Sequence, residues 1–302
     1  MNKYLISIVG PTAIGKTKLS ILLAKHYSTE IVSADSRQFY KELSIGTAKP
    51  TKSELNSVKH HLIGNKSVIE PYTIGEFEKD AINKISEIHK SNRFAILVGG
   101  SGLYQDVIKY GLNKIPKVDI KVRDNLNKEY NANGLINLQN KLKELDVLSY
   151  NSIDIKNPRR VIRALEVCIT SKKPYSSFLN KKFKKRNFKI IELGIIADRS
   201  LIYKNIDERV DLMIKKGLVD ECKNVKKYSH LNSLNTIGYK EIFKYFNNEI
   251  SLDIAVKEIK KNTRRFAKRQ MTWYNNNNQI KWFDQKYSIK NVIKMTESLV
   301  NN

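Results

Sequence analysis

Three observations predict an α/β protein: a P-loop NTPase-like parallel sheet flanked by helices, with a helical insertion domain. The first is Gly10-Pro-Thr-Ala-Ile-Gly-Lys-Thr17, set between an apolar run, Leu5–Val9, and a helical pattern carrying Leu19, Leu22 and Leu23. The second is a series of short strand-like runs, at 30–33, 94–98 and 189–196, separated by helical stretches. That alternation is the mark of parallel strands joined by helices. The third is the stretch from about Leu112 to Arg186, which is helical, polar and basic and has no convincing strand. Residues 1–111 and 187–302 are therefore read as the catalytic core and 112–186 as the insertion.

Strand, glycine-bounded loop, then Lys-Thr opening a helix is the phosphate-binding loop in its required context. Gly10, Pro11, Thr12, Ala13, Ile14 and Gly15 form a cradle whose backbone N–H groups, with the helix N-terminus, favour an anion. Lys16 adds a point charge, and the Thr17 hydroxyl can ligate a magnesium ion that the phosphates also hold. The loop leaves open which phosphate compound it binds: ATP-binding kinases, GTPases and transferases of diphosphate esters all use it.

At 302 residues the chain can bury a full core. No run of about eighteen apolar residues occurs, so no membrane span is expected. The N-terminus leads straight into the first strand, leaving no room for a signal peptide. Two cysteines, Cys168 and Cys222, stand far apart without a Cys-x-x-Cys. A reducing cytoplasm fits, and a monomer is expected. The formal charge of +25 points to a polyanionic partner such as nucleic acid, although a Lys- and Asn-rich composition accounts for part of it.

In chain order, the 30–33 strand ends in Ala34-Asp-Ser-Arg-Gln38. Ligands of open α/β sheets bind at the carboxyl ends of strands, so Asp35 shares an edge with the phosphate loop; a turn role is the alternative. Ile45–Pro50 is a loop by its Gly and Pro. His60-His61 has no carboxylate or cysteine at ligand spacing, which favours a hydrogen-bonding role over a metal. Residues 74–90 form a helix with Ile74, Phe77, Ala81, Ile85 and Ile88 on one face. The strand at 94–98 runs into Gly99-Gly-Ser-Gly-Leu-Tyr104, where many phosphate-loop ATPases carry a magnesium-binding Asp. Glycines there imply a close approach, by a substrate or by a helix.

Within the insertion, Asn157-Pro158 opens a helix. Its apolar stripe is Ile162, Leu165 and Ile169, with Arg159, Arg163 and Glu166 on another face. Cations in the first turns oppose the helix dipole at a cost of roughly 0.3–1 kcal/mol each, which a bound phosphate reverses. The alternative is solvated arginines paired with Glu166. Lys181–Arg186 reads as a solvated run. Past the 189–196 strand, Ile206, Val210, Met213 and Ile214 line a helix with Arg209 on another face, and Gly217 can end it. Ser251 caps a helix reaching Tyr274, with Val256, Ile259, Phe266 and Trp273 as its stripe and Lys261, Arg264, Arg265, Lys268 and Arg269 elsewhere. Residues 275–278 are a loop and 280–283 a last strand.

The motifs together resemble the bacterial tRNA dimethylallyltransferase family. They are the phosphate loop, Asp35–Gln38 with Ile45–Pro50, His60–Ile63, Gly99–Tyr104, Arg159–Val167, Ile237–Glu241 and Ala267–Trp273, in the family's order and nearly end to end. The resemblance implies transfer of a dimethylallyl group from dimethylallyl diphosphate to the exocyclic amine of the adenosine just 3′ of the anticodon, in tRNAs reading codons that begin with U. It implies Mg²⁺ as cofactor, Lys16, Thr17, Asp35 and Arg209 as catalytic residues, and the anticodon stem-loop as partner. Asp35, Ser36, Arg37, Gln38, Ser101, Arg123, Arg159, Arg160, Val161, Ile162 and Arg163 then contact tRNA. Two positions depart from the pattern: Gly64, where Asp is usual, and Asn205, where Arg is common. The competing readings are a small-molecule kinase, an adenylate isopentenyltransferase and a non-catalytic RNA-binding protein; the arginine-bearing insertion argues against the first two.

Overall fold

The computed structural model describes residues 2–179 and 184–301. Its elements begin with β1 (Tyr4–Val9), α1 (Lys16–His26), β2 (Ile31–Ser33), α2 (Lys52–Ser57), β3 (His60–His61), α3 (Ile74–Ser91), β4 (Phe94–Val98) and α4 (Gly102–Tyr110). Four helices follow: α5 (Ile120–Asn133), α6 (Leu135–Leu145), α7 (Val147–Ser152) and α8 (Pro158–Ser171). The chain then runs β5 (Lys189–Ile196), α9 (Arg199–Lys215), α10 (Leu218–Val225), α11 (Tyr239–Phe246), α12 (Leu252–Tyr274), β6 (Lys281–Asp284) and α13 (Ile289–Asn301).

Two compact units result, one of Met1–Tyr110 with Lys185–Asn302, the other of Gly111–Lys184. The first is organised by a six-stranded sheet in the order β3-β2-β4-β1-β5-β6, every neighbour parallel. Ile6 of β1 is in register with Ile96 on one side and Ile191 on the other. All six residues of β1 are buried, as a central strand covered on both faces requires. α1 and α13 supply part of that cover through Leu19, Leu23, Val292 and Val300. The second unit packs α5, α6 and α8 around Leu126, Leu138, Leu142, Val161, Ile162, Ala164 and Leu165.

The structure revises several sequence-based expectations. His60-His61, to which the sequence assigned no secondary structure, is an edge strand: His61 pairs with Val32, and its Nε2 bonds Glu30 Oε2 at 2.5 Å. Residues 289–301 form a helix that the sequence reading did not assign. The buried stripe of α12 is Ala255, Ile259, Ala267, Gln270 and Tyr274, so Trp273 and Val256 lie off it. In α8 the stripe includes Val161 and Cys168, Ile169 is exposed, and Glu166 is wholly buried. Arg186 falls in the first unit: its guanidinium donates to the carbonyls of Val107 and Ile108 and to Glu78 Oε1 at 2.8–2.9 Å. Of the basic run that was read as solvated, Lys181–Phe183 lie outside the described residues.

Candidate active site

The phosphate loop turns between β1 and α1 at the carboxyl edge of the sheet. Gly10 has φ +137°, and a Cβ there would lie 2.6 Å from the Ile195 carbonyl oxygen, so only glycine lets the loop leave β1 beside β5. Gly15 is left-handed (φ +98°) and precedes α1, whose first residues are Lys16 and Thr17. The Lys16 ammonium donates to its own loop, to the carbonyls of Gly10 (2.9 Å) and Pro11 (2.7 Å). Burial, and then the Arg209 charge, push its pKa down to about 7, against the pull of Asp35. Arg209 reaches the loop from α9, where its Nη1 donates to Thr12 Oγ1 at 3.3 Å. Asn205, one turn earlier, donates to the Ala13 carbonyl at 3.2 Å, so the departure from arginine keeps a contact with the loop.

Asp35 follows β2 on the same edge. Its Oδ1 accepts the N–H groups of Arg37 (2.9 Å) and Gln38 (3.3 Å), a side-chain turn that fixes the carboxylate. Both readings of Asp35 therefore meet in one residue: it makes the turn and also lines the cavity that Lys16 lines. Burial raises its pKa, opposed by those two N–H groups and by Lys16. Gln38 is held by Nε2 bonds to the carbonyls of Thr47 and Ala48, both 3.1 Å. The Ser36 N–H donates to Ser101 Oγ at 3.2 Å. The Arg37 guanidinium is drawn to the carbonyls of Asn232 and Ser233, both at 2.9 Å. Gly64 has φ +60° and donates to the Gln38 carbonyl at 2.9 Å.

Two residues that the sequence reading gave no role hold the site together. Gln270 of α12 is buried; its Oε1 accepts the Thr12 N–H at 2.8 Å and its Nε2 donates to the Gly100 carbonyl at 2.7 Å. A Cβ at Gly100 would lie 2.5 Å from that nitrogen, so the close approach implied by the glycines after β4 is made by a helix. Glu221 of α10 accepts the N–H groups of Ser44, Ile45 and Gly46 at 2.8–2.9 Å and the Tyr239 hydroxyl at 2.6 Å. It thereby clamps the loop that orients Gln38. A polar residue within the apolar period of α12 was a readable signal for Gln270; nothing in the sequence around Glu221 marks its partners.

Thr12–Thr17, Asp35, Gln38, Asn205, Arg209 and Gln270 line one cavity of about 830 Å³, together with Ile45, Leu55, Ile63, Met213 and Phe266. It offers an anion cradle, a half-buried carboxylate with raised pKa and an apolar wall.

In the second unit, Glu166 is fully buried and accepts Arg123 Nε and Nη2, both at 2.6 Å, and Arg163 Nη1 at 2.5 Å. Burial works against its charge, but the hydrogen bonds from Arg123 and then Arg163 outweigh it and lower the pKa. Arg159 and Arg160 are exposed beside the α8 N-terminus, which Asn157 caps by accepting their N–H groups at 3.1 and 3.4 Å. The side chains of Val161 and Ile162 are in the unit's core.

Comparison with known proteins gives the family. The family model for IPP transferase matches residues 38–277. A tRNA dimethylallyltransferase of Christiangramia forsetii is 52% identical over 301 residues, covering 100% of both chains. The crystal structure of the full-length tRNA isopentenylpyrophosphate transferase of Bacillus halodurans is 36% identical, with TM-score 0.71, and covers 100% of this chain and 96% of that one. A eukaryotic dimethylallyltransferase solved acting on tRNA is 25% identical, with TM-score 0.85, covering 99% of this chain and 80% of that one. Matched along its whole length by relatives of this kind, the chain belongs to the IPP transferase family.

Proposed function

We propose that the protein transfers a dimethylallyl group from dimethylallyl diphosphate to the exocyclic amine of the adenosine 3′-adjacent to the anticodon, in tRNAs reading codons that begin with U, giving isopentenyladenosine. The observation that carries this reading is the single cavity in which the phosphate loop, Asp35 and an apolar wall converge. A phosphorylated donor with a hydrocarbon tail uses all three.

In the reaction, the bond from the allylic carbon to the diphosphate oxygen breaks and its electron pair leaves with the pyrophosphate. The amine nitrogen forms the new bond to that carbon and sheds a proton. Lys16 and Arg209 stabilise the charge that grows on the leaving group. Asp35, held by its own turn, accepts the amine's hydrogen bond and then its proton. The target base has to leave the anticodon stack to enter the cavity, as bases do in enzymes that act on them.

Thr17 Oγ1 has no hydrogen-bond partner among the described residues, and none of their His, Cys, Asp and Glu side chains group in threes that could hold a metal. That donor set suits a magnesium ion held by Thr17 and by the substrate's own phosphates. Such an ion, when bound, neutralises charge on the diphosphate. No described helix is long and apolar enough to cross a membrane. A cytoplasmic monomer is the form we propose.

The test incubates purified protein, magnesium and labelled dimethylallyl diphosphate with tRNA or with AMP. Label in tRNA, lost when the adenosine 3′ of the anticodon is replaced by guanosine, is the expected result. Label in AMP alone makes the protein an adenylate isopentenyltransferase, and label in neither overturns the reading.

The arginines of the insertion divide into two groups. Replacing Arg159 and Arg160 with Ala is expected to weaken tRNA binding and to flatten its salt dependence by about one unit of slope per lost phosphate contact. Arg163→Ala and Arg123→Ala are instead expected to lower the melting temperature, since each strips a partner from the buried Glu166 carboxylate. Unchanged tRNA affinity of the Arg159/Arg160 variant across a salt titration would return that pair to the solvated face.

A further inference from the structure

The sequence pattern put Trp273 in the core stripe of α12, yet the residue is 43% exposed. Tryptophan is highly buried on average, and an indole this open presents a large amphipathic face to solvent. Its indole is held from two sides. Nε1 donates to Asp106 Oδ2 at 3.0 Å, and the pyrrole edge rests on Gly102, where a Cβ would lie 2.5 Å from Cδ1. The ring is thus fixed before any partner arrives, and little entropy remains to be lost on contact.

Its position is specific. One turn earlier, Gln270 reaches into the cavity. Under the ring, Gly102 follows Ser101, which is bonded to the Asp35 turn. On the solvent side, Arg265, Arg269 and Trp273 succeed one another at four-residue spacing, and Lys268 stands beside them. The Arg269 guanidinium lies 5.8 Å from the Phe266 ring centroid, and none of Arg265, Lys268 and Arg269 has an ion-pair partner among the described residues. A rigid open aromatic beside unpaired cations is the combination that holds single-stranded nucleic acid, with the ring taking a base and the cations the flanking phosphates.

We propose that Trp273 is a stacking platform for an unpaired anticodon-loop base adjacent to the one that enters the cavity, with Arg265, Lys268 and Arg269 on the neighbouring phosphates. This rests on tRNA being the acceptor. It assigns the ring a role in affinity and in presenting the target base.

The experiment titrates full-length protein with an anticodon stem-loop RNA. In the wild type, indole fluorescence falls on binding, because Trp273 is one of two tryptophans and the one that meets the RNA. Trp273→Phe keeps a stacking ring: it should bind within about threefold of wild type but without most of the quenching. Trp273→Ala should bind on the order of 10–100-fold more weakly. Stem-loops carrying an abasic site at each loop position in turn locate the partner: at one position next to the target, the loss caused by Trp273→Ala should vanish. Unchanged affinity of the Ala variant overturns the platform. So does a loss that persists on every abasic RNA, which would confine the ring to packing on Gly102. A wild type that prenylates tRNA while Trp273→Ala is indistinguishable from it removes only this proposal. A wild type that prenylates no tRNA removes the acceptor reading itself.

Discussion

Asp35→Asn is expected to fold, to bind a diphosphate with near-normal affinity, and to turn over on the order of 10²–10⁴-fold more slowly, the range for a positioned general base. Folding should survive because an asparagine Oδ1 can still accept the N–H groups of Arg37 and Gln38, which is what the turn asks of the side chain. The chemistry should not survive, because the amide has no basic oxygen left for the amine's proton. Burial holds the pKa of Asp35 above the usual carboxylate range, so its conjugate base is stronger than an exposed carboxylate. The same shift fixes the sign of the pH dependence: turnover should fall with acid as Asp35 protonates, beginning above the pH at which an exposed aspartate would. That acid limb should be missing from Asp35→Asn. The decisive comparison is the affinity for a diphosphate analogue against magnesium concentration. A large rise in the magnesium requirement of Asp35→Asn, with turnover restored at high magnesium, would make Asp35 a metal-shell residue and not a base.

Lys16→Ala is expected to cost roughly 2.7–4 kcal/mol of barrier, as loss of one preorganised stabiliser of developing charge does elsewhere. Near wild-type single-turnover rates would detach the loop from the leaving group. A second measurement does not depend on turnover. With a pKa of about 7, Lys16 is mostly neutral at pH 8 in the free protein. A diphosphate in the loop favours the ammonium, so binding at pH 8 should take up a proton, approaching one per site. Calorimetry in two buffers of different ionisation enthalpy reads that uptake, and Lys16→Ala should abolish it. Linkage gives a matching stability term. Between about pH 7 and the ordinary lysine pKa, the unfolded chain holds a proton on Lys16 that the folded chain lacks. Stability of the free protein should therefore rise with pH across that window relative to Lys16→Ala.

Much of the core was legible because its signals are local. A glycine-bounded loop between an apolar run and a helix, or the five apolar residues of β4, can be read within a dozen positions. What escaped depends on partners far along the chain. The two residues of β3 are a strand only because β2 lies alongside. Gln270 falls within the apolar period of α12, but nothing local names its partners Thr12 and Gly100, at 258 and 170 residues' separation. The stripe of α12 was misread because its buried face is lined by alanines and a glutamine, while the large apolar residues Val256, Phe266 and Trp273 sit at its margin. In α8, Glu166 was placed on the polar face with Arg163; it is inside, and two guanidinium groups make that tolerable.

The central strand β1 is flanked by β4 on one side and by β5 on the other. During synthesis, β1 and β4 leave the ribosome long before β5, which waits until the whole of Gly111–Lys184 has been made. The phosphate loop meanwhile lacks the Ile195 carbonyl that hems in Gly10, and it lacks Asn205, Arg209 and Gln270 as well. A nascent chain that has not reached β5 therefore holds an apolar strand with one open edge, and until residue 270 its phosphate loop lacks the Gln270 bond to Thr12. The intervening unit draws its helices from neighbouring sequence and can form before β5 closes the edge of β1.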